Sequence, residues 1–120
     1  MMTLNEYQEK AMTTCMETCK NFSYMFLNLV GEVGEFASKV AKNIRHGDSV
    51  IGAYNDLLTC SHEISNTNDL LMKEAGDILW QLSGLCKVMG WTLEDVAQMN
   101  LDKLASRQQR GVIDGSGDNR

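Results

Sequence analysis

Three observations predict an all-α fold, a bundle of four main helices. The chain has no Pro in 120 residues, so the strongest helix breaker is missing. Apolar residues recur at helical spacing through four long segments, and no stretch alternates apolar with polar residues as a half-buried strand would. Capping residues and glycines punctuate those segments.

The first helix starts at Thr3, where T-L-N-E forms a capping box: the Thr3 hydroxyl takes one free amide and Glu6 reaches back. It is expected to run to about Lys20. The second covers about Phe22 to His46, with Phe26, Leu29, Val33, Phe36, Val40 and Ile44 on one side. Lys42, Arg45 and His46 suit the negative end of its dipole, and Gly47 is a natural terminator. His46 reads as a helix C-terminal residue rather than a catalytic base. The third helix runs from about Asn68 to Met89 and Gly90 closes it. The fourth has Thr92 as N-cap and Asp95 in its first turn, and ends near Gln109. Residues 1–120 read as one domain, with 111–120 a polar, flexible tail. Between the second and third helices, Gly47 to Thr67 is long for a structureless loop, and "VIGAYNDLLTC" suits a short extra helix.

Bulk properties narrow the function. A net charge of −5 argues against nucleic acid as the main partner, because phosphate backbones are held by a basic face. It leaves small polyphosphates open, since these bind through a metal and a few local cations. No stretch approaches the roughly 18 apolar residues of a membrane span. Cys15, Cys19, Cys60 and Cys86 contain no C-x-x-C pair and read as reduced structural thiols, which places the expected location in the cytoplasm.

The chemistry sits in two echoing stretches, "GEVGE" (31–35) and "KEAGD" (73–77). Each places two acids three apart with a glycine between them. On a helical wheel with Glu32 at zero, the apolar stripe of the second helix falls between about 40° and 160°, and Glu35 lies about 60° further out. With Glu74 at zero, Leu71, Ala75, Ile78, Leu82, Leu85 and Met89 fall between about 20° and 100°, and Asp77 lies about 60° out beside Gln81. Asn28, Lys39 and Lys42 share the carboxylate sector of the second helix. If the two stripes pack together, four carboxylates converge on one rim. Such a cluster repels itself unless a cation neutralises it. An all-oxygen set with no Cys or His selects Mg²⁺, Mn²⁺ or Ca²⁺ over zinc. Gly34 and Gly76 each cost a helix interior about 1 kcal/mol relative to Ala, which suggests room for a partner helix or ligand. A lone E-x-x-E proves little: Glu6 and Glu9 have that spacing too, and Glu6 is explained by capping. The duplication is what matters.

The chain resembles the MazG-like, all-α nucleoside triphosphate pyrophosphohydrolases, whose signature is E-x-x-E on one helix and E-x-x-D on a later one. The match extends through "LNEYQEKA", "GEVGE" with "RHG", "KEAGDILWQL", "NLDKLASR" and the final "RG" with "GSGDNR". The resemblance implies hydrolysis of (d)NTPs to the monophosphate and pyrophosphate, with Mg²⁺ (or Mn²⁺ as a substitute) held by Glu32, Glu35, Glu74 and Asp77. It also implies that Asn100, Lys103 and Arg107 contact the nucleotide, and that the protein assembles as a homodimer or homotetramer with helices from more than one subunit around the site. One of the four carboxylates, Glu35 being the candidate, would orient or deprotonate the attacking water.

Two features depart from the family pattern. The interval between the acidic motifs is longer than usual, fitting a lid, an oligomer contact or part of a base pocket. Position 81 is Gln where many relatives carry an aromatic residue. Trp80 and Trp91 read as core or interface residues, or as a stacking surface for a base. The tail would fold over substrate phosphates or a neighbouring subunit. The rival reading is a catalytically inactive metal- or nucleotide-binding regulatory module. A di-iron bundle is disfavoured because Glu-x-x-His pairs are absent, and a purely structural helical oligomer is the third alternative.

Overall fold

The computed structural model describes residues 1–46, 62–115 and 117, with 62–68 described as helical backbone. Every regular element among them is helical: α1 (Leu4–Met12), a 3₁₀ turn (Glu17–Cys19), α2 (Phe22–Arg45), α3 (His62–Val88) and α4 (Leu93–Gln109). The all-α bundle expected from the sequence is the fold observed. α2 and α3 pack along one another as the central pair, α1 lies against α3, and α4 is held mainly by α1.

The expected punctuation is present. Thr3 Oγ1 accepts from Glu6 N at 3.1 Å while Thr3 N donates to Glu6 Oε2 at 2.7 Å, completing the capping box. Thr92 Oγ1 accepts from Asp95 N at 3.1 Å. Gly90 follows α3 at φ +76°, the left-handed conformation that a side chain would strain. Asn21 caps α2, its Oδ1 accepting from Tyr24 N at 2.8 Å. His46 is the exposed C-cap of α2.

Two boundaries differ from expectation. α1 ends at Met12 rather than near Lys20. Thr13 and Thr14 turn their hydroxyls onto the carbonyls of Lys10 and Ala11, at 2.6 and 2.7 Å. These side chains compete for the groups that would extend the helix. α3 begins at His62, six residues before the expected Asn68. The polar run Asn66–Thr67–Asn68 looks like a start signal, yet each such residue costs a helix interior only about 0.7 kcal/mol or less. No Gly or Pro lies between His62 and Ala75 to stop the helix. Residues 62–67 are thus helical rather than loop, and "VIGAYNDLLTC" falls outside the described residues, as does Cys60.

A buried glutamine joins the bundle's minor elements to its centre. Gln8, 5% exposed, donates from Nε2 to Ser83 O at 3.2 Å and Trp91 O at 3.1 Å, and its Oε1 accepts from Leu93 N at 3.0 Å. One side chain therefore ties α1 to α3, to the α3–α4 turn and to the first amide of α4. Outside it, Asn5 and Glu94 exchange three hydrogen bonds of 3.0–3.3 Å. Trp80 Nε1 donates to Ala11 O at 3.1 Å and Thr14 Oγ1 at 2.9 Å, fixing the end of α1 to α3. Trp80 is thereby a packing anchor.

Apolar burial is modest within one chain. Met25, Cys86 and Leu93 are the buried apolar side chains among the described residues. Of the expected α2 stripe, Leu29, Phe36 and Val40 are half-buried, whereas Phe26, Val33 and Ile44 are exposed. The α2 face turned to α3 is thus rotated toward the acids, and an apolar stripe including Phe22, Phe26, Val30 and Val33 remains uncovered. The Phe22 and Phe26 rings stack at 5.8 Å. Gly84 lets Met25 pack directly on α3: a Cβ there would collide with Sδ and Cε of that buried side chain.

Candidate metal centre

The packing of α2 on α3 brings three of the four expected acids together. One carboxylate oxygen from each of Glu32, Glu74 and Asp77 lies within 4.8 Å of the others. Glu32 is half-buried, Glu74 is 7% exposed and Asp77 is exposed, so the cluster runs from the helix seam out to solvent. Glu35 is exposed on the solvent side, outside that trio, and its charge still reaches Glu32.

The electrostatics of the trio are unfavourable on their own. Burial, followed by the negative charges of Glu35, Asp77 and Glu74, holds the Glu32 carboxyl above its usual value, while a hydrogen bond from Asn28 Nδ2 at 3.4 Å pulls it down. Lys39 of α2 forms an ion pair with Glu74 Oε1. The other oxygen, Glu74 Oε2, is buried and finds no hydrogen-bond partner among the described residues. A carboxylate oxygen of that kind costs several kcal/mol of desolvation unless a donor or cation meets it. Three carboxylates around an unsatisfied buried oxygen, with no Cys or His among them, fit a hard divalent cation such as Mg²⁺ or Mn²⁺.

The MazG nucleotide pyrophosphohydrolase domain family matches residues 20–112. This chain belongs to that family. The matched region contains both acidic motifs and all of α4. A protein of Mycobacterium phage L5, the "Gene 37 protein", is 41% identical over 104 residues, which is 87% of this chain and 81% of that protein. No solved structure matches the chain.

The α4 residues expected to contact nucleotide border a cavity of their own. Asn100 is exposed and Lys103 half-buried, and both line a cavity of about 530 Å³ with Trp91, Asp95, Val96 and Met99. None of the four acids lines it. Arg107 is 6% exposed, and its Nη2 donates to Gly117 O at 3.2 Å, so Gly117 lies against the end of α4. Among the described residues, one chain thus presents two separate groups, the acids on α2 and α3 and the polar residues of α4.

Several neighbours of the cluster are added by the fold. Tyr7 of α1 is half-buried near Asp77: burial first, and the Asp77 charge second, push its phenol up. Its place in "LNEYQEKA" is visible in the sequence, but the α1–α3 packing that brings it to Asp77 is not. Gln81, 2% exposed, leaves Oε1 without a partner among the described residues and hydrogen-bonds the Tyr24 phenol. The Tyr24 phenol is raised chiefly by its hydrogen bond to Cys19. Cys15, Cys19 and Cys86 are free thiols. A Cβ added at Gly34 or Gly76 would meet nothing within 4 Å. The close approach that those glycines suggested is not made among the described residues.

No helix among the described residues is long and apolar enough to cross a membrane.

Proposed function

We propose that this MazG-family protein hydrolyses (deoxy)nucleoside triphosphates to the monophosphate and pyrophosphate, as a Mg²⁺-dependent housekeeper of the nucleotide pool in the cytoplasm. The observation that supports this most directly is the buried, unsatisfied Glu74 Oε2 beside Glu32 and Asp77, with one oxygen of each acid within 4.8 Å of the others. Glu32, Glu74 and Asp77 would hold the metal from the helix seam, and Glu35 would complete the set from its solvent side. The chemistry a divalent cation held by these acids would supply is neutralisation of triphosphate charge and acidification of a bound water. Glu35, exposed at the edge of the trio, is the carboxylate we assign to orient or deprotonate the water that attacks the α-phosphorus. Asn100, Lys103 and Arg107 would take the nucleotide's phosphates and sugar, the two cations offsetting charge as the pyrophosphate departs.

The separation of α4 from the acids supports an assembled site. In a homodimer or homotetramer, a second copy would cover the exposed Phe22–Val33 stripe and bring its own α4 residues toward the acids. The open space at Gly34 and Gly76 is compatible with such an approach.

The test is a panel of canonical and modified (d)NTPs with purified protein, with and without Mg²⁺. Pyrophosphate should appear for at least one nucleotide and vanish with chelator. Mg²⁺ binding without pyrophosphate release from any nucleotide would favour the inactive regulatory module instead.

A further inference from the structure

The acid cluster already contains a cation, and it belongs to the protein. Lys39 and Glu74 face each other across the α2–α3 seam as an ion pair in which Glu74 is buried and Lys39 is 44% exposed. The ammonium also feels the charges of Glu35 and Asp77. It therefore supplies positive charge at the edge of the cluster, satisfying one Glu74 oxygen and leaving the other without a partner among the described residues. A lysine ammonium on one oxygen of Glu74 repels a divalent ion arriving at the other, and so weakens its binding.

Lys39 has somewhere else to go. It lines a second cavity of about 200 Å³ with Lys42, Asn43, Leu70 and Leu71. Leu70 and Leu71 lie about one helical turn before Glu74, so this cavity adjoins the cluster on the N-terminal side of α3. Lysine carries its charge on a flexible four-carbon stem. A swing of that stem would exchange a carboxylate for a space already bordered by Lys42 and Asn43. Two lysines and an asparagine stand beside two leucines at its border, and these polar residues carry the donors a phosphate group would need.

We propose that Lys39 is the internal counter-ion of Glu74 in the metal-free protein, that a divalent metal displaces it, and that the released ammonium joins Lys42 in holding a phosphate of the incoming nucleotide. This rests on the metal-dependent reading above and deepens it. Metal binding and phosphate binding are then coupled through one side chain. Binding the metal costs the Lys39–Glu74 pair, and the freed charge strengthens the phosphate subsite. Lys39 positions the substrate and regulates access to the acids; the reacting atoms are left to the carboxylates.

The experiment is calorimetric titration of full-length Lys39→Met with MgCl₂ and with MnCl₂, without nucleotide, beside wild type and Lys39→Arg. Removing the competing charge should tighten divalent binding about tenfold, whereas Lys39→Arg should bind metal as wild type does. With saturating Mg²⁺, inorganic pyrophosphate should bind Lys39→Met several-fold more weakly than wild type. A merely structural lysine would weaken both affinities together when removed, so the opposed signs are diagnostic. If Lys39→Met fails to fold, Lys39→Gln, which keeps a polar partner for Glu74, is titrated in its place. Equal or weaker metal affinity in the neutral variant overturns the counter-ion role while leaving the metal site standing. If wild type and every variant bind neither metal, the metal-site reading falls and takes this proposal with it.

Discussion

Two buried polar regions of this molecule are built on opposite rules. Around Gln8, every polar atom of the side chain is matched: two carbonyls accept from Nε2 and the Leu93 amide donates to Oε1. Around Glu74, acids crowd one another, a lysine covers one oxygen and the other is left bare. The first arrangement stabilises and orients; a fully satisfied network makes a fold specific. The second is a local cost, tolerated where a ligand is to complete it. Burial of a polar side chain alone would not separate the two. The state of its last lone pair does.

Breaking each region should therefore damage a different property. Asp77→Asn, which keeps shape and removes charge, should cut pyrophosphate release about 10²-fold or more. It should also abolish Mg²⁺-induced stabilisation while leaving the metal-free melting temperature unchanged or higher. Steady-state assay and thermal melts with and without Mg²⁺ check both parts. Gln8→Ala should do the reverse. Losing three hydrogen bonds and leaving the buried Leu93 amide unsatisfied should cost about 2–4 kcal/mol in urea unfolding, with the Mg²⁺-dependent increment retained.

Gly84→Ala probes the packing between the two regions. The added methyl displaces the end of Met25, which is 1% exposed, and overpacking of this kind costs about 1–3 kcal/mol, again by urea unfolding. The smallest effect is expected from Glu32→Gln. The Glu32 carboxyl is held above the ordinary value of 4.5 by burial and by its acidic neighbours, so its folded form prefers the proton more than its unfolded form does. That preference adds stability below pH 4.5 and is lost as pH rises through the elevated value. The metal-free Gln variant should lack this loss, melt slightly higher at neutral pH and show a flatter pH profile just above 4.5. Saturating Mg²⁺ should reverse the order, with wild type the more stable.

The local grammar of this fold is legible in the residues. Thr3 with Glu6, Thr92 and Gly90 each act within four residues of themselves, so each cap can be read from the sequence. The juxtaposition of Glu32 with Glu74 and Asp77 is legible as well, because two copies of one spacing on two apolar helices imply a shared edge. What a helical wheel cannot supply is which part of an apolar stripe meets its neighbour. α2 turns its acid sector toward α3 and leaves Phe26 and Val33 outside, a choice made by packing across the seam. Lys39 is visible in the carboxylate sector, yet its partner is 35 residues away. Gln8 carries no signal at all, since its partners lie 75 to 85 residues further along the chain. The early end of α1 and the early start of α3 escape the sequence for a related reason: polar residues that serve as caps in one context are carried through a helix in another.

The reach of Gln8 also sets an order of events during synthesis. α1 is nine residues long, shorter than the roughly 12–15 residues at which an isolated helix begins to hold in water. Its anchors on Ser83, Trp91 and Leu93 are synthesised 75 to 85 residues after Gln8 itself. α1 precedes α2 and α3 in the chain yet is tied down by groups late in α3 and beyond it, so the α2–α3 pair assembles without it. A released fragment ending at Thr92, which lacks the Leu93 amide, should already protect α2 and α3 from proteolysis while α1 remains open to cleavage.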